Sequence, residues 1–177
     1  KKRWHSRAAG VRFNVVAVDC GIKLGIIRGL AERNCNVTVV PYNTSAPEIL
    51  ALSPDGLFLS NGPGDPEDVK PVIDLVRKLR GQLPIFGICL GHQLMALAAG
   101  GRTRKMRYGH RGANQPAQNT ETGRTYITSQ NHGYCVIGES LPQTASVLFK
   151  NANDGTCEGV RYRDFTGFSV QIHPEAH

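Results

Sequence analysis

The sequence predicts an α/β fold: an open, mostly parallel sheet flanked by helices on both faces, with an additional strand-rich, partly antiparallel second half. Two observations predict it. Over residues 14–100, short apolar runs alternate four times with segments whose apolar residues recur at helical spacing, the pattern of a parallel sheet covered on both sides. Beyond residue 100 the helical spacing stops, and β-branched runs follow one another across short turns such as NANDG (151–155).

The elements read in order. NVVAVDCG (14–21) is an apolar strand ending in a turn, and IKLGIIRGLAERN (22–34) places apolar residues at 22, 26, 27, 30 and 31, one helical face. NVTVVPY (36–42) is a β-branched strand stopped by Pro41, and APEILAL (46–52) a short helix. GLFLS (56–60) is a strand that leads into the loop NGPGDPED. VKPVIDLVRKLRG (69–81) is a helix closed by Gly81. PIFGI (84–88) and CLGHQLMALAAG (89–100) are the next strand and helix. TYITSQ (125–130), GYCVI (133–137), TASVLFK (144–150), EGVRYR (158–163) and GFSVQIH (167–173) are strands separated by turns. No internal repeat or low-complexity segment appears. The expected division is a basic linker or tail over 1–12 and one domain over 13–177.

Composition narrows the function classes. A chain of 177 residues, 40% hydrophobic, is long enough for one sizeable core. No run approaches the roughly 18–20 apolar residues of a membrane span, and the charged start KKRWHSRAAG has no apolar stretch behind it. Cys20, Cys35, Cys89, Cys135 and Cys157 are odd in number, scattered and without a CxxC pair, which argues against a disulfide framework or zinc site and for a reducing cytoplasm. The net charge of +7 sits in two places: residues 1–12 and residues 102–111 carry five basic residues each and no acid. The remaining 11 basic residues face 14 acidic ones. Both stretches read as a solvated tail and an exposed loop, or as a docking surface for an acidic partner. No nucleic-acid-binding motif accompanies the charge, and neither a nucleic acid nor a membrane is expected as a partner.

GICLGHQ (87–93) places a cysteine where strand 84–88 gives way to helix 89–100, and ligands of parallel sheets gather at such strand ends. G-I-C-L-G has the form of the nucleophile elbow G-x-S-x-G, with Cys in place of Ser. The flanking glycines allow a sharp turn, and the helix N-terminus favours negative charge there. The N–H of Leu90 can face a developing oxyanion. A cysteine packed at a strand–helix junction is the alternative. Two further features favour the elbow. His173 ends GFSVQIH and Glu175 follows two residues on, so a continued extended backbone would place imidazole and carboxylate on one face, near the elbow. The remaining histidines are His5 in the tail, His92 in the helix, His110 and His132 in loops, and His177 at the end. The loop SNGPGDPED (60–68) can bring backbone N–H groups close to a ligand and supply a second oxyanion donor, a contribution of about 2.7–4 kcal/mol to a transition state.

FGICLGHQ together with HPE resembles a class I (triad) glutamine amidotransferase over most of residues 13–175. VDCGIK (18–23), LSNGPGDP (59–66), KMRYGHRGANQP (105–116), TSQNHGY (128–134) and NDGTCEG (153–159) narrow the likeness to the glutamine-hydrolysing part of carbamoyl-phosphate synthetase, whether a small subunit or the matching region of a fused enzyme. The resemblance implies Cys89 as nucleophile, His173 as base and acid, Glu175 as its orienter, and Gly62 and Leu90 as oxyanion donors. Gly64, Gln93, Asn131, Gly133 and Tyr134 match glutamine-holding positions. The implied reaction is hydrolysis of L-glutamine to glutamate and ammonia through a Cys thioester, with the ammonia passed to a carbamoyl-phosphate synthetase domain or subunit. No metal and no cofactor are expected in this domain; ATP, bicarbonate and magnesium belong to the synthetase. The family's separate N-terminal domain and its C-terminal helix are not in the sequence, which therefore reads as a segment of a longer protein. Other acceptors (GMP, CTP or anthranilate synthesis) and a catalytically silent docking domain are the competing expectations.

Overall fold

In a computed structural model that describes residues 1–7, 9–10 and 12–176, ten strands form one sheet. They are β1 (Lys2–Trp4), β2 (Phe13–Asp19), β3 (Cys35–Pro41), β4 (Gly56–Leu59), β5 (Ile85–Ile88), β6 (Arg102–Asn119), β7 (Thr125–Ile137), β8 (Ala145–Asn151), β9 (Cys157–Tyr162) and β10 (Gly167–Val170). Four α-helices join the first half: α1 (Leu24–Glu32), α2 (Ala46–Leu50), α3 (Lys70–Leu79) and α4 (Leu90–Ala98). The strand order is β1-β3-β2-β4-β5-β10-β9-β7-β6-β8. β3, β2, β4, β5 and β10 run parallel, and every other pairing is antiparallel. Ala8, Val11 and His177 lie outside the described residues, so the expected ends of the tail and of the domain are not described in full.

Alternation along the parallel strands divides the core between two faces. Val16, Val18, Leu57, Leu59 and Ile85 face a cluster built with Ile49 of α2, Val72, Leu75, Val76 and Leu79 of α3, and Leu94 and Met95 of α4. Ala17, Val37, Val39, Phe58, Ile88 and Val170 face Ile26 and Ile27 of α1 on the other side. Helix α3 shows why: its apolar residues 72, 73, 75, 76 and 79 make one stripe, all buried, while Arg77 and Lys78 sit in the last turn where the helix dipole favours cations. Gly81 follows with φ +83°, a left-handed conformation that glycine adopts without a Cβ penalty.

The second half departs from expectation in three places. Residues 102–111, expected as an exposed loop, belong to the 18-residue strand β6, paired with β7. TYITSQ and GYCVI, expected as two strands, are one 13-residue strand, β7. His110 and His132, expected in loops, are opposite one another in the β6–β7 ladder. Pairings β9–β7, β7–β6, β6–β8 and β8–β9 close these four strands into a ring. Within the stretch expected as a linker, β1 pairs antiparallel with β3, and the Ser6 hydroxyl donates to the Ala31 carbonyl at 2.7 Å. Among the described residues, no helix is long and apolar enough to cross a membrane.

Candidate active site

Cys89 sits between β5 and α4 with φ 55° and ψ −105°, a conformation that costs an L-residue of order 1–3 kcal/mol and has to be held by its surroundings. Two hydrogen bonds hold it. The Cys89 N–H donates to the Val170 carbonyl of β10 at 2.8 Å, and the Cys89 carbonyl accepts from the Gln93 N–H at 3.2 Å to begin α4. The elbow glycines are spatially obligatory. A Cβ on Gly91 would stand 2.2 Å from the Leu59 carbonyl oxygen, and one on Gly87 would stand 2.6 Å from the Gly91 carbonyl carbon. Their absence of side chains lets α4 start directly over β4 and presents the Cys89 sulfur at the carboxyl ends of the parallel strands.

A cleft of about 480 Å³ opens there. Of the sequence-predicted residues, Gly62, Gly64, Cys89, Gln93, Asn131, Gly133, Tyr134 and His173 line it, together with Lys23, Lys105, Arg111 and His132. Leu90 and Glu175 do not. Leu90 opens α4 immediately after Cys89 and buries its side chain in the core. Glu175 stands behind His173, with Oε1 2.7 Å from the imidazole Nδ1. Gly62 enters the wall because its Cα presses on the turn that follows β2: a Cβ would lie 1.9 Å from the Cys20 carbonyl oxygen.

The route by which histidine and glutamate meet differs from expectation. Strand β10 ends at Val170, and residues 173–176 form a turn in which the Ala176 N–H donates to the His173 carbonyl at 3.1 Å. The turn, not a continued strand, folds Glu175 back onto His173. The His173 N–H donates to the Ser129 carbonyl at 2.9 Å and ties the turn to β7.

Electrostatics at the site follow from these contacts. Burial works against a charged His173 imidazole, but hydrogen bonds and charge from Cys89 and Glu175 outweigh it and raise its pKa to about 9. Burial also works against an ionised Glu175, but the hydrogen bond from His173, its own backbone, and the charges of His173 and Lys23 hold the carboxyl below the usual range. The site therefore carries an imidazolium between the Cys89 sulfur and a carboxylate. Elsewhere, burial pushes the thiols of Cys20 and Cys157 up to about 12 and raises those of Cys35 and Cys135, which keeps them protonated and unreactive. Buried His92 and His132 are lowered to about 3 and about 4, chiefly by desolvation. A cysteine sulfur beside an imidazolium is the arrangement for attack on a carbonyl carbon followed by proton delivery to the leaving group.

Two features of the site escaped the sequence. Gln171, fully buried, reaches the sulfur itself: its Nε2 lies 3.4 Å from Cys89 Sγ. The signal was an amide inside the largely apolar run GFSVQI, where Ser169 is the other polar residue. Behind the cleft, His110, His132 and Glu158 place ligand-type atoms within 4.8 Å of one another, the one cluster among the described residues with the donor types for a metal. Those atoms are already engaged. His110 meets Asp154 at 2.7 Å and Gln130 at 3.2 Å, His132 meets Gln130 and the Tyr134 carbonyl at 2.8 Å each, and Glu158 accepts from Gln130 at 2.8 Å and Asn151 at 3.0 Å. Every strand of the closed ring contributes to this network, which pins β7 where it lines the cleft.

Residues 16–177 match the family described as glutamine amidotransferase class-I. The chain is 54% identical over 169 residues, 96% of its length, to the carbamoyl phosphate synthase small chain of Streptococcus pyogenes serotype M3. It is 56% identical over 164 residues, 92% of its length, to the carbamoyl phosphate synthase pyrimidine-specific small chain of Lactiplantibacillus plantarum. It spans about half the length of these curated relatives, 47% and 45% respectively. Among solved structures, a putative GMP synthase subunit from Thermoplasma acidophilum superposes with a TM-score of 0.81, covering 96% of this chain and 87% of that one. At 22% identity that likeness is one of fold alone.

Proposed function

The chain belongs to the class-I glutamine amidotransferase family, and on that premise we propose that it is a glutaminase domain that supplies ammonia to a carbamoyl-phosphate synthetase. The observation that carries the reading is the meeting of Cys89, His173 and Glu175 at one end of the cleft, in a chain 54–56% identical to carbamoyl phosphate synthase small chains. ATP, bicarbonate and magnesium are assigned to the synthetase partner, and the five free thiols suit a cytoplasmic setting.

In this reading L-glutamine enters the cleft with its side-chain amide over Cys89. Gly64, Asn131, Gly133 and Tyr134 offer backbone and side-chain groups along its length. Gln93 has committed its amide nitrogen to the protein, at 2.9 Å from both the Tyr134 carbonyl and Gln171 Oε1, so Oε1 is its atom for a ligand. The Cys89 sulfur attacks as the thiolate, and the N–H groups of Leu90 and Gly62 face the oxyanion. His173 gives its proton to the departing nitrogen, which leaves as ammonia, and a γ-glutamyl thioester remains on Cys89. Water then attacks the thioester carbon and loses a proton to His173, and glutamate departs. Glu175 holds the ring in register and stabilises its charged form throughout.

Glutamate release from glutamine, measured with and without a carbamoyl-phosphate synthetase partner and with a Cys89→Ser control, tests the reading. Release that depends on Cys89 and rises with the synthetase is the expected result. A folded chain that releases no glutamate in either condition would overturn it.

A further inference from the structure

We propose that Gln171 is a further catalytic residue, an N–H donor to the Cys89 sulfur whose polarity is dictated by the Tyr134 carbonyl through Gln93; its catalytic part rests on the glutaminase reading above. Side-chain amides are two-faced, and which end is nitrogen has to be settled by their partners. Here the partners settle it. The Tyr134 carbonyl oxygen can only accept, so the Gln93 atom 2.9 Å away is the nitrogen. The second hydrogen of that nitrogen points to Gln171, also at 2.9 Å, so Gln171 presents its oxygen there. Its own Nε2 is then left facing Cys89 Sγ at 3.4 Å. Turning Gln171 over would set N–H against N–H at one end and a carbonyl oxygen against sulfur lone pairs at the other.

The relay is anchored and dry. The Tyr134 carbonyl also accepts from His132 Nδ1 at 2.8 Å, which fixes its direction from the opposite side. Gln93 and Gln171 are buried, so water does not compete for these bonds. A donor aimed at sulfur binds the thiolate more strongly than the thiol, because hydrogen bonds to an ionised acceptor are about twice as strong as neutral ones. The same N–H can follow the sulfur as charge leaves it in forming the thioester and returns when the thioester breaks. The other titratable groups around the sulfur are His173 and Glu175 after β10, Lys23 before α1, Lys105 and Arg111 on β6, and His132 and Tyr134 on β7. None is altered in the variants below.

Alkylation of Cys89 by iodoacetamide, followed on the Cys89 peptide by mass spectrometry across pH, reads the sulfur directly and needs no substrate. In Gln171→Leu the rising limb should move up by about one pH unit while the high-pH rate is retained, and glutamate release at neutral pH should fall about ten-fold. Loss of packing alone would change the plateau and leave the limb in place. Gln93→Leu keeps Gln171 but frees its orientation, and should move the limb in the same direction by less; it carries the test if Gln171→Leu does not fold. Limbs that superimpose on the parent chain overturn the proposal. A limb that moves in a chain releasing no glutamate, with or without the synthetase, keeps the donor assignment and removes the glutaminase reading instead.

Discussion

His173 Nδ1 and Glu175 Oε1 stand 2.7 Å apart because a turn, closed by the Ala176 N–H on the His173 carbonyl, reverses the chain between them. A carboxylate there fixes which ring nitrogen carries the inward proton and stabilises the imidazolium. Glu175→Gln keeps the shape and one hydrogen bond but removes the charge. Glutamate release should fall by about 10²-fold, the lower end of what positioned acid–base catalysis contributes, with the apparent glutamine affinity little changed. Steady-state kinetics check it; an unchanged rate would remove Glu175 from the catalytic group.

The same pair makes stability depend on pH. His173 has a folded pKa of about 9 against 6.5 unfolded, so its contribution is fully present below about pH 6.5 and is lost as pH rises through about 9. Urea midpoints of the parent chain should therefore decline between those limits. His173→Gln should lack that decline, and the two curves should converge on the alkaline side. Parallel curves would mean that the imidazole is not held in its charged form.

The parallel half was legible because its strands are buried on both faces and read as continuous apolar runs, 15–18 and 57–59 among them, between stripes such as 72–79. The elbow was legible from its glycines, whose small size the packing of Gly91 on Leu59 requires. Strand β6 was not. Five basic residues in 102–111 mask its alternation, since on this strand the charged residues face solvent and only His110 and Ala117 are fully covered. Its strand character comes from its β7 partner, not from its own composition. Sequence spacing brought His173 and Glu175 together through the wrong geometry, and Gln171 was passed over because only its neighbours in space, Gln93 and Cys89, give it a role.

Close packing under the elbow sets a sharp contrast between two glycines. Gly91→Ala drives a Cβ to 2.2 Å from backbone of β4, and backbone cannot rotate away as a side chain can. The expected cost is about 1–3 kcal/mol or more, with slower alkylation of Cys89 as the elbow shifts. Gly133→Ala meets nothing within 4 Å and has an ordinary φ, so its stability should stay within about 0.5 kcal/mol of the parent. Denaturant unfolding of both variants checks the pair; equal costs would mean that α4 does not rest on β4 as described.

Glu158 holds the polar centre of the second half, and its removal should be felt through the amides that depend on it. The carboxyl is fully buried, and burial raises its pKa, against the lowering effect of hydrogen bonds from Asn151 and Gln130 and the charge of His110. Glu158→Ala leaves the Gln130 and Asn151 amide nitrogens with Thr128 and Gln115 as acceptors but strands one N–H of each in the buried interior. At about 1–3 kcal/mol for each stranded donor, the loss should be about 2–6 kcal/mol in equilibrium unfolding. The effect should travel forward as well, because Gln130 holds His132, and His132 holds the Tyr134 carbonyl in the cleft wall. A variant that unfolds within about 1 kcal/mol of the parent, with glutamate release intact, would show that the ring is held by its backbone pairing and not by this carboxyl.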